Sequence, residues 1–347
     1  MKDILISSSV LILALVVLRQ LFRSTVSRRV QYALWGLVAL RLLIPASLPA
    51  MEFSVLSAAE PVRQTVSATL ETPQVYIPVA REPLTQHPTA PDMDPQYAIA
   101  PGEPSVWVIE TDETAVQYRQ LSSGDILRGI WLTGTALMAL WMTVSNLRFA
   151  RWLRKARIPY PVEGCSHPVY LVKSGLPSPC LFGLFRPAIY LTPAAVSSPA
   201  ALRHVLAHEE THARHLDPLW SAVRCLGLAV YWVDPLVWLA AGLSRADGEL
   251  ACDEGAIARL GEAERIPYGR TLLALIPIRR SRDPLLAATT MTSGKRQLKD
   301  RITRIAQNRQ TVAAALFILL SAVLLVGAAT FTGGKEAPAP DDPGAAS

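Results

Sequence analysis

The stretch PAALRHVLAHEETHARHLDP, residues 199–218, decides how the chain is interpreted. Ser198 and Pro199 at its start are a typical N-cap and first-turn pair for a helix. The Asp217-Pro218 dipeptide is a typical helix terminator. The sequence therefore predicts one helix over this stretch, and that helix carries several histidines.

Residues 208–212, His208-Glu209-Glu210-Thr211-His212, match the pattern HExxH. Positions four apart on a helix are offset by only about 40°, so both imidazoles point to one side and can bind one Zn²⁺. Glu209 lies beside them, where its carboxylate can take a proton from water and pass it to a leaving amine. The alternative interpretation is a charged, solvent-exposed helix face that binds no metal.

A catalytic zinc site takes three protein ligands and leaves one position open for water. His204 and His215 lie on the same helix as the first two ligands and cannot easily converge with them on one ion. We therefore expect the third ligand from another segment. The stretch Glu249-Leu250-Ala251-Cys252-Asp253 supplies Glu249 for this role, with Asp247 and Glu254 as competing choices.

Two more carboxylates are candidates for contacts behind the ligands. Asp253 can accept a hydrogen bond that fixes the tautomer of a ligand histidine. Its alternative role is an ordinary ion pair with Arg245 or Arg259. Asp217 is a second candidate, although a helix terminator needs no such role. The Cys252 thiol is interpreted as a buried structural group rather than as a ligand.

Half of the chain is apolar and its mean hydropathy is +0.26, which favours a membrane protein. Four apolar runs approach the roughly 20 residues that cross a bilayer as helix: 4–18, 30–48, 126–147 and 312–331. The first run is short enough for a signal peptide, but no small-residue cleavage site precedes Arg19. Basic residues cluster between runs one and two, after run three and before run four. The positive-inside rule then places both termini outside. A net charge of +6 could suggest nucleic-acid binding, but the basic residues lie at the ends of the spans rather than on one binding face, so no direct nucleic-acid contact is expected.

The predicted domain map follows from these spans. It comprises two transmembrane helices in 1–48, an extracytoplasmic Pro-rich acidic loop at 49–125, a third span at 126–147, a cytoplasmic zinc metallopeptidase domain at 148–311, a fourth span at 312–331 and a short outer tail at 332–347. The loop is expected to be a largely extended linker, with a short strand around 107–109 as the alternative.

Within the cytoplasmic part, residues 169–172 and 188–191 have the composition of strands. Residues 219–243 are apolar, but Arg224 and the Asp234-Pro235 break divide them into pieces too short to cross. They predict a helical hairpin that dips into the membrane or packs against it. The expected fold class is a multi-pass α-helical membrane protein with a cytoplasmic α+β zincin-like domain.

These motifs resemble those of the membrane zinc peptidases among the beta-lactam-sensing signal transducers, which include beta-lactamase-regulating and methicillin-resistance sensors. The resemblance rests on residues 208–212, on residues 249–253 and on the segment SPCLFGLFRP, residues 178–187. It implies a bacterial cell membrane, zinc bound by His208, His212 and Glu249, and Glu209 as general base. It also implies a signal passed through membrane helices to a domain that cleaves proteins, itself included. Segment 178–187 would form a sheet edge along which a substrate strand lies.

The pattern departs from that family after the fourth predicted span. The family sensors carry a large outer penicillin-binding domain there, whereas 16 residues follow here without an SxxK motif. We therefore expect a signal to enter through the 49–125 loop, the membrane helices or a separate sensor protein, not by direct reaction with a beta-lactam.

The predicted function is a membrane zinc endopeptidase in signal transduction that cleaves itself, a cytoplasmic transcriptional repressor, or both. An internal cut is expected in the basic stretch 279–282. The alternative functions are a membrane quality-control protease and a non-catalytic signalling scaffold.

Overall fold

The structure, a computed structural model, describes residues 2–44, 54–61, 64–66, 73–83, 97–99, 105–111, 114–275, 295–307 and 311–332. The chain forms two compact units, one over Ala58–Gly134 and the other over Met1–Ser57 together with Thr135–Ser347. The expected cleavage stretch 279–282 and nearly all of the predicted tail lie outside the described residues.

Most described residues are helical. The helices are α1 (Lys2–Leu21), α2 (Arg28–Leu43), α3 (Val55–Ala58), α4 (Ser123–Ala156), α5 (Pro199–Arg214), α6 (Asp217–Val230), α7 (Pro235–Leu260), α8 (Arg265–Ala274), α9 (Lys295–Gln307) and α10 (Ala313–Phe331). The strands are β1 (Pro73–Pro83), β2 (Tyr97–Ile99), β3 (Ser105–Thr111), β4 (Thr114–Ser122), β5 (Arg157–Pro159), β6 (Val169–Val172), β7 (Cys180–Phe182) and β8 (Ala188–Leu191).

The unit over Ala58–Gly134 corrects one expectation. Its strands form an antiparallel sheet in the order β1-β4-β3-β2, so the interpretation of this region as a largely extended linker is wrong for the described residues. Three prolines lie in β1, which is an edge strand, and the register shifts beside Pro73 and Pro78. A sheet tolerates proline at an edge or a bulge, so a proline-rich composition does not exclude pairing.

Among the described residues, three helices are long and apolar enough to cross a membrane: Asp3–Leu21, Ser123–Ala156 and Ala313–Phe331. They correspond to the first, third and fourth predicted spans. Helix α2 falls in the second predicted span but has only 16 residues, and its Gln31 and Arg41 are buried. The second span, the multi-pass topology and the orientation of the termini stay predictions.

The larger unit contains a helical core in which α1, α2, the α6–α7 pair and α10 pack together. Its buried members include Leu11 of α1, Trp35 of α2, Val237 of α7 and Leu319 of α10. The predicted break at Asp234-Pro235 is confirmed, since α6 ends at Val230 and Asp234 caps α7 by accepting a hydrogen bond from the Leu236 amide at 2.8 Å.

A second sheet, ordered β5-β6-β8-β7, lies between α4 and α5. Both predicted strands are confirmed as β6 and β8, which pair in parallel. Val172 and Tyr190 pack against Phe149 of α4, whereas Ile189 belongs to the core on the α5 side with Val205. Strand β7 is an edge strand of this sheet and contacts α5.

Glycines bring α7 close to its neighbours. At Gly255, an added Cβ would clash with the Thr211 side chain of α5, and at Gly248 it would lie 3.2 Å from the Tyr32 ring of α2. Glycine costs helix stability, but here it permits close approach of two helices. Helix α7 is continuous through Gly248, and its residues 249–253 lie beside α5.

Candidate metal centre

Helix α5 presents the HExxH residues as the sequence predicted. Ser198 caps the helix by accepting a hydrogen bond from the Ala201 amide at 3.1 Å, and Pro199 occupies its first turn. His208 and His212 lie one turn apart, with ring centroids 4.7 Å apart and ring planes nearly perpendicular. Their Nε2 atoms are 3.1 Å apart, so both nitrogens face one point beside the helix.

The carboxylate of Glu249 on α7 faces the same point. Its oxygens lie 3.7 Å from His208 Nε2 and 3.8 Å from His212 Nε2. A tetrahedral zinc ion with bonds of about 2.0–2.1 Å separates its ligand atoms by about 3.3 Å. The three side chains therefore have the spacing and the donor types of a zinc site, and they form one of the groups in the described residues that can hold a metal.

Asp217 lies behind His212. Its Oδ2 is 2.5 Å from His212 Nδ1, and its Oδ1 accepts a hydrogen bond from the Tyr32 hydroxyl at 2.5 Å. The preceding Leu216 has φ of 57°, a left-handed conformation that is costly for a branched residue. This turn between α5 and α6 folds Asp217 back onto the helix that it follows, where it can hold the Nδ1–H tautomer of His212.

His208 is supported through a tyrosine. Its Nδ1 is 2.8 Å from the Tyr268 hydroxyl, which donates to Asp253 Oδ1 at 2.7 Å. Asp253 Oδ1 is itself 3.4 Å from His208 Nδ1. Because the tyrosine proton goes to the carboxylate, the His208 Nδ1–H donates to the tyrosine oxygen, which leaves the Nε2 lone pair for a metal.

Tyr268 and Arg301 are site residues that the sequence analysis missed. Arg301 on α9 pairs with Asp253 and with Glu249, whereas Arg259, one of the two alternative partners predicted for Asp253, pairs with Glu210 instead. Nothing local marks Tyr268, which is 60 residues from His208, and Arg301 was noted only among the basic residues before a predicted span.

Neighbouring charged groups shift the pKa values of several side chains in the centre. Burial disfavours a charged imidazole, but hydrogen bonds with Asp253 and Glu249 raise the pKa of His208 to about 10. Burial likewise opposes ionisation of Asp253, yet the adjacent Arg301 lowers its pKa to about 2. Against the same effect of burial, Arg301 also holds the pKa of Glu249 well below its usual value. The carboxylates are thus ionised at neutral pH, as metal ligands and their partners must be.

Glu209, the predicted general base, is buried beside this group. Within the described part of the chain, its carboxylate makes no hydrogen bond or ion pair. The neighbouring Glu210 differs, because it is held by Arg259 on α7. A carboxylate that is free of a protein partner next to a metal-binding point is available to exchange a proton with water or substrate.

The rejected ligand candidates have other partners. His204 contacts Thr271 and Glu264, at 2.7 and 3.0 Å. Asp247 and Glu254 face α1 and α2. His215 lies 3.5 Å from the Cys252 sulfur, outside the group formed by the two HExxH histidines and Glu249.

Cys252 belongs to a second group with metal-binding atoms, together with His212 and Asp217. Its thiol donates to Asp217 Oδ2 at 3.3 Å. Burial and then the Asp217 charge raise the pKa of this thiol well above its usual value, so it stays protonated. Zinc binds thiolate rather than thiol, and this favours the interpretation of Cys252 as a buried structural group.

The chain is similar to a known protein family and to known proteins. A family model described as BlaR1 peptidase M56 matches residues 1–305. The chain is 30% identical over 220 residues to regulatory protein BlaR1 of Bacillus licheniformis, covering 57% of this chain and 36% of that protein. It is 23% identical over 166 residues to the methicillin resistance mecR1 protein of Staphylococcus aureus (strain Mu50 / ATCC 700699), covering 45% and 28%. The matches thus span about a third of the length of these relatives.

Proposed function

The chain belongs to the BlaR1 peptidase M56 family, a metallopeptidase family, and from this premise we propose that it is a zinc endopeptidase acting in membrane signal transduction. Its substrate is a protein: the chain itself, a cytoplasmic transcriptional repressor, or both. His208, His212 and Glu249 bind the zinc ion, and Glu209 is the general base.

One observation carries this proposal. Both imidazoles use Nδ1 to contact Asp217 or Tyr268, while their Nε2 atoms face each other at 3.1 Å with the Glu249 carboxylate opposite. Two lone pairs at that distance repel each other unless a cation or proton lies between them. A divalent cation satisfies all three ligand atoms, and zinc prefers this mixture of histidine and carboxylate.

A zinc ion held by His208, His212 and Glu249 would supply a Lewis acid and would lower the pKa of a water molecule at the site to about 7. Glu209 then has two duties in the reaction. It accepts the proton of the attacking water, and it returns that proton to the amine of the leaving peptide. Asp217 and the Tyr268–Asp253 pair keep the ligand imidazoles in the tautomer that leaves Nε2 free.

The substrate chain is proposed to lie along β7. This strand pairs with β8 on one side, is at the edge of its sheet among the described strands, and contacts the HExxH helix. An extended peptide can add to such an edge through backbone hydrogen bonds. The peptide bond to be cut would then pass the three ligand residues with little demand on side-chain sequence.

The family and the three candidate membrane helices in the described residues support a proposal about the location of the protein. We propose a bacterial cell membrane protein whose peptidase domain is cytoplasmic. The relatives are a regulatory protein and a methicillin resistance protein, which favours an antibiotic-response role over general degradation. A separate sensor protein is one proposed source of the signal.

The first experiment compares wild-type protein with Glu209→Gln and Glu210→Gln, all purified from membranes. Elemental analysis should find about one zinc ion per chain in each. Self-cleavage, followed on a gel, should stop in Glu209→Gln and in wild type with chelator but continue in Glu210→Gln. Absence of zinc from wild type would refute the proposal and favour the scaffold function.

A second experiment addresses the substrate. Protein abundances in a deletion strain and its parent are compared after the protease is induced in the parent. Stabilisation of one or two DNA-binding proteins supports a regulatory role. A broad accumulation of membrane proteins would replace that role with quality control.

A further inference from the structure

Arg301 is a cation inserted from α9 into the centre formed by α5 and α7. Its side chain is 12% exposed. Its Nε and Nη2 donate to the two oxygens of Asp253, both at 2.8 Å, and its Nη1 lies 3.1 Å from Glu249 Oε2. One guanidinium therefore bridges two carboxylates that are one helical turn apart.

This arrangement is geometrically specific. The planar guanidinium presents a fixed fork of donors, and only such a group can satisfy both oxygens of Asp253 while a third nitrogen reaches Glu249. Two ionised carboxylates on adjacent turns repel each other, and Arg301 offsets that repulsion. It also contacts Glu249 Oε2, the oxygen that lies 3.7 Å from His208 Nε2, and so restrains the orientation of this carboxylate.

Arg301 reaches two of the three proposed ligands. It contacts Glu249 directly, and it holds Asp253, which accepts the Tyr268 hydroxyl that in turn contacts His208. Groups behind metal ligands set the orientation of those ligands, and their loss typically weakens metal binding by about 10–100-fold. A single side chain thus orients both an imidazole and a carboxylate.

The position of Arg301 depends on how α9 docks. Ile305, one turn further along α9, is buried in a core with Ala256 and Tyr268. Arg304 donates to the Arg23 carbonyl in the turn between α1 and α2. That same turn is bonded to the start of α10, where the Val312 amide donates to the Thr25 carbonyl at 2.8 Å.

We propose that Arg301 is a positioning residue for Glu249 and His208, and that it makes zinc binding conditional on the docking of α9. This inference rests on the proposed function, because it takes Glu249 and His208 as zinc ligands. Helix α9 immediately precedes α10, a candidate membrane helix. A movement of α10 that withdraws α9 would loosen the zinc site without altering any ligand.

The test measures the affinity of the purified full chain for Zn²⁺ alone, by competition with a chelating dye. Arg301→Gln should bind zinc about 10–100-fold more weakly than wild type, and Arg301→Lys should fall between them. Lys299→Gln, at an exposed position of the same helix, should stay within about twofold of wild type. Visible spectra of Co²⁺-loaded protein should change in Arg301→Gln, since they report ligand geometry that a loss of overall stability does not alter.

The dependence of zinc binding on the docking of α9 is tested separately with Ile305→Asp, because Ile305 contacts no carboxylate of the centre. It should weaken zinc binding about as much as Arg301→Gln, by about 10–100-fold. Unchanged affinity in Ile305→Asp would show that zinc binding does not depend on the docking of α9. Unchanged affinity together with an unchanged Co²⁺ spectrum in Arg301→Gln or Arg301→Lys would overturn the positioning role of Arg301. If Glu249→Gln also keeps full affinity, the ligand assignment in the proposed function has failed instead.

Discussion

Helix α7 carries two pairs of acidic residues whose surroundings differ. Glu249 and Asp253 are four residues apart and face α5, whereas Asp247 and Glu254 are seven apart and face α1 and α2. By sequence alone, all four were candidate metal-site residues. The structure distributes them over two faces of one helix.

The carboxylates on the Asp247 face of α7 have their hydrogen-bonding capacity used by protein partners. Asp247 has no exposed surface and accepts hydrogen bonds from Arg19, Arg28 and Trp35, at 2.6, 3.2 and 3.0 Å. Glu254 accepts the Arg28 amide. No imidazole lies among these partners in the described chain.

On the other face of α7, the Glu249 carboxylate is less completely satisfied by protein partners. The Glu249 side chain remains 29% exposed, one of its oxygens contacts Arg301, and two imidazole nitrogens face the carboxylate. The contrast teaches that burial and charge alone do not identify a metal ligand. A carboxylate with all its hydrogen-bonding capacity used serves packing, whereas one that shares an open point with two imidazole nitrogens can bind a cation.

The largest effect is expected from Glu249→Gln. The substitution keeps the volume but removes the charge of a proposed ligand, so zinc affinity should fall by more than about 100-fold, beyond the loss typical of an outer partner. Dye competition on purified protein measures it, with Glu254→Gln on the other face as control. Equal losses in both variants would remove the distinction between the two faces.

Asp247→Asn should show the opposite behaviour. It leaves Arg28 buried without its anionic partner, and breaking a buried ion pair costs about 3–5 kcal/mol of folding free energy. The thermal unfolding midpoint in detergent should therefore drop strongly. Zinc affinity, measured below that midpoint, should change by no more than about threefold, because Asp247 faces away from the centre and shares no partner with Glu249. A stable variant that had lost zinc would place Asp247 in the metal site.

Local signals explain which parts of the site were predictable. The Ser198-Pro199 start, the strands at 169–172 and 188–191, and the Asp234-Pro235 break are encoded by adjacent residues, and all are confirmed. The HExxH spacing is likewise local, and the structure brings His208, His212 and Glu249 together as that interpretation requires.

Partners that are distant in sequence were not predictable. Tyr32 lies in a predicted membrane span yet contacts Asp217, 185 positions away, and Arg301 contacts Asp253 across 48 positions. Neither contact leaves a periodicity or a spacing in the sequence. The sheet over β1 to β4 was missed for a related reason, since edge-strand prolines resemble those of a linker.

A smaller effect is expected at Asp217, the first residue of α6, which contacts both His212 of α5 and Tyr32 of α2. Asp217→Asn keeps the shape but removes the charge behind His212, so zinc affinity should fall by about 10–100-fold. Tyr32→Phe, which removes the other hydrogen bond to Asp217, is the matched comparison and should have a weaker effect. If Tyr32→Phe proved the more damaging variant, Asp217 would belong with the structural face.

The smallest effect is expected from Cys252→Ser. Cys252 has no exposed surface and contacts Asp217 and the Nδ1 side of His212, so it is a candidate ligand of the second group of metal-binding atoms, not of the ion beside Glu249. As a protonated thiol that only donates a weak hydrogen bond to Asp217, it should be replaceable by a hydroxyl with less than about a threefold change in zinc affinity.

Co²⁺ substitution provides the sharper readout, because a thiolate ligand gives an intense near-ultraviolet charge-transfer band. We expect that band to be missing from both wild type and Cys252→Ser. A band present in wild type and lost in the variant would place the metal in the group of Cys252, Asp217 and His212 instead, and would refute the catalytic role of the Glu249 face.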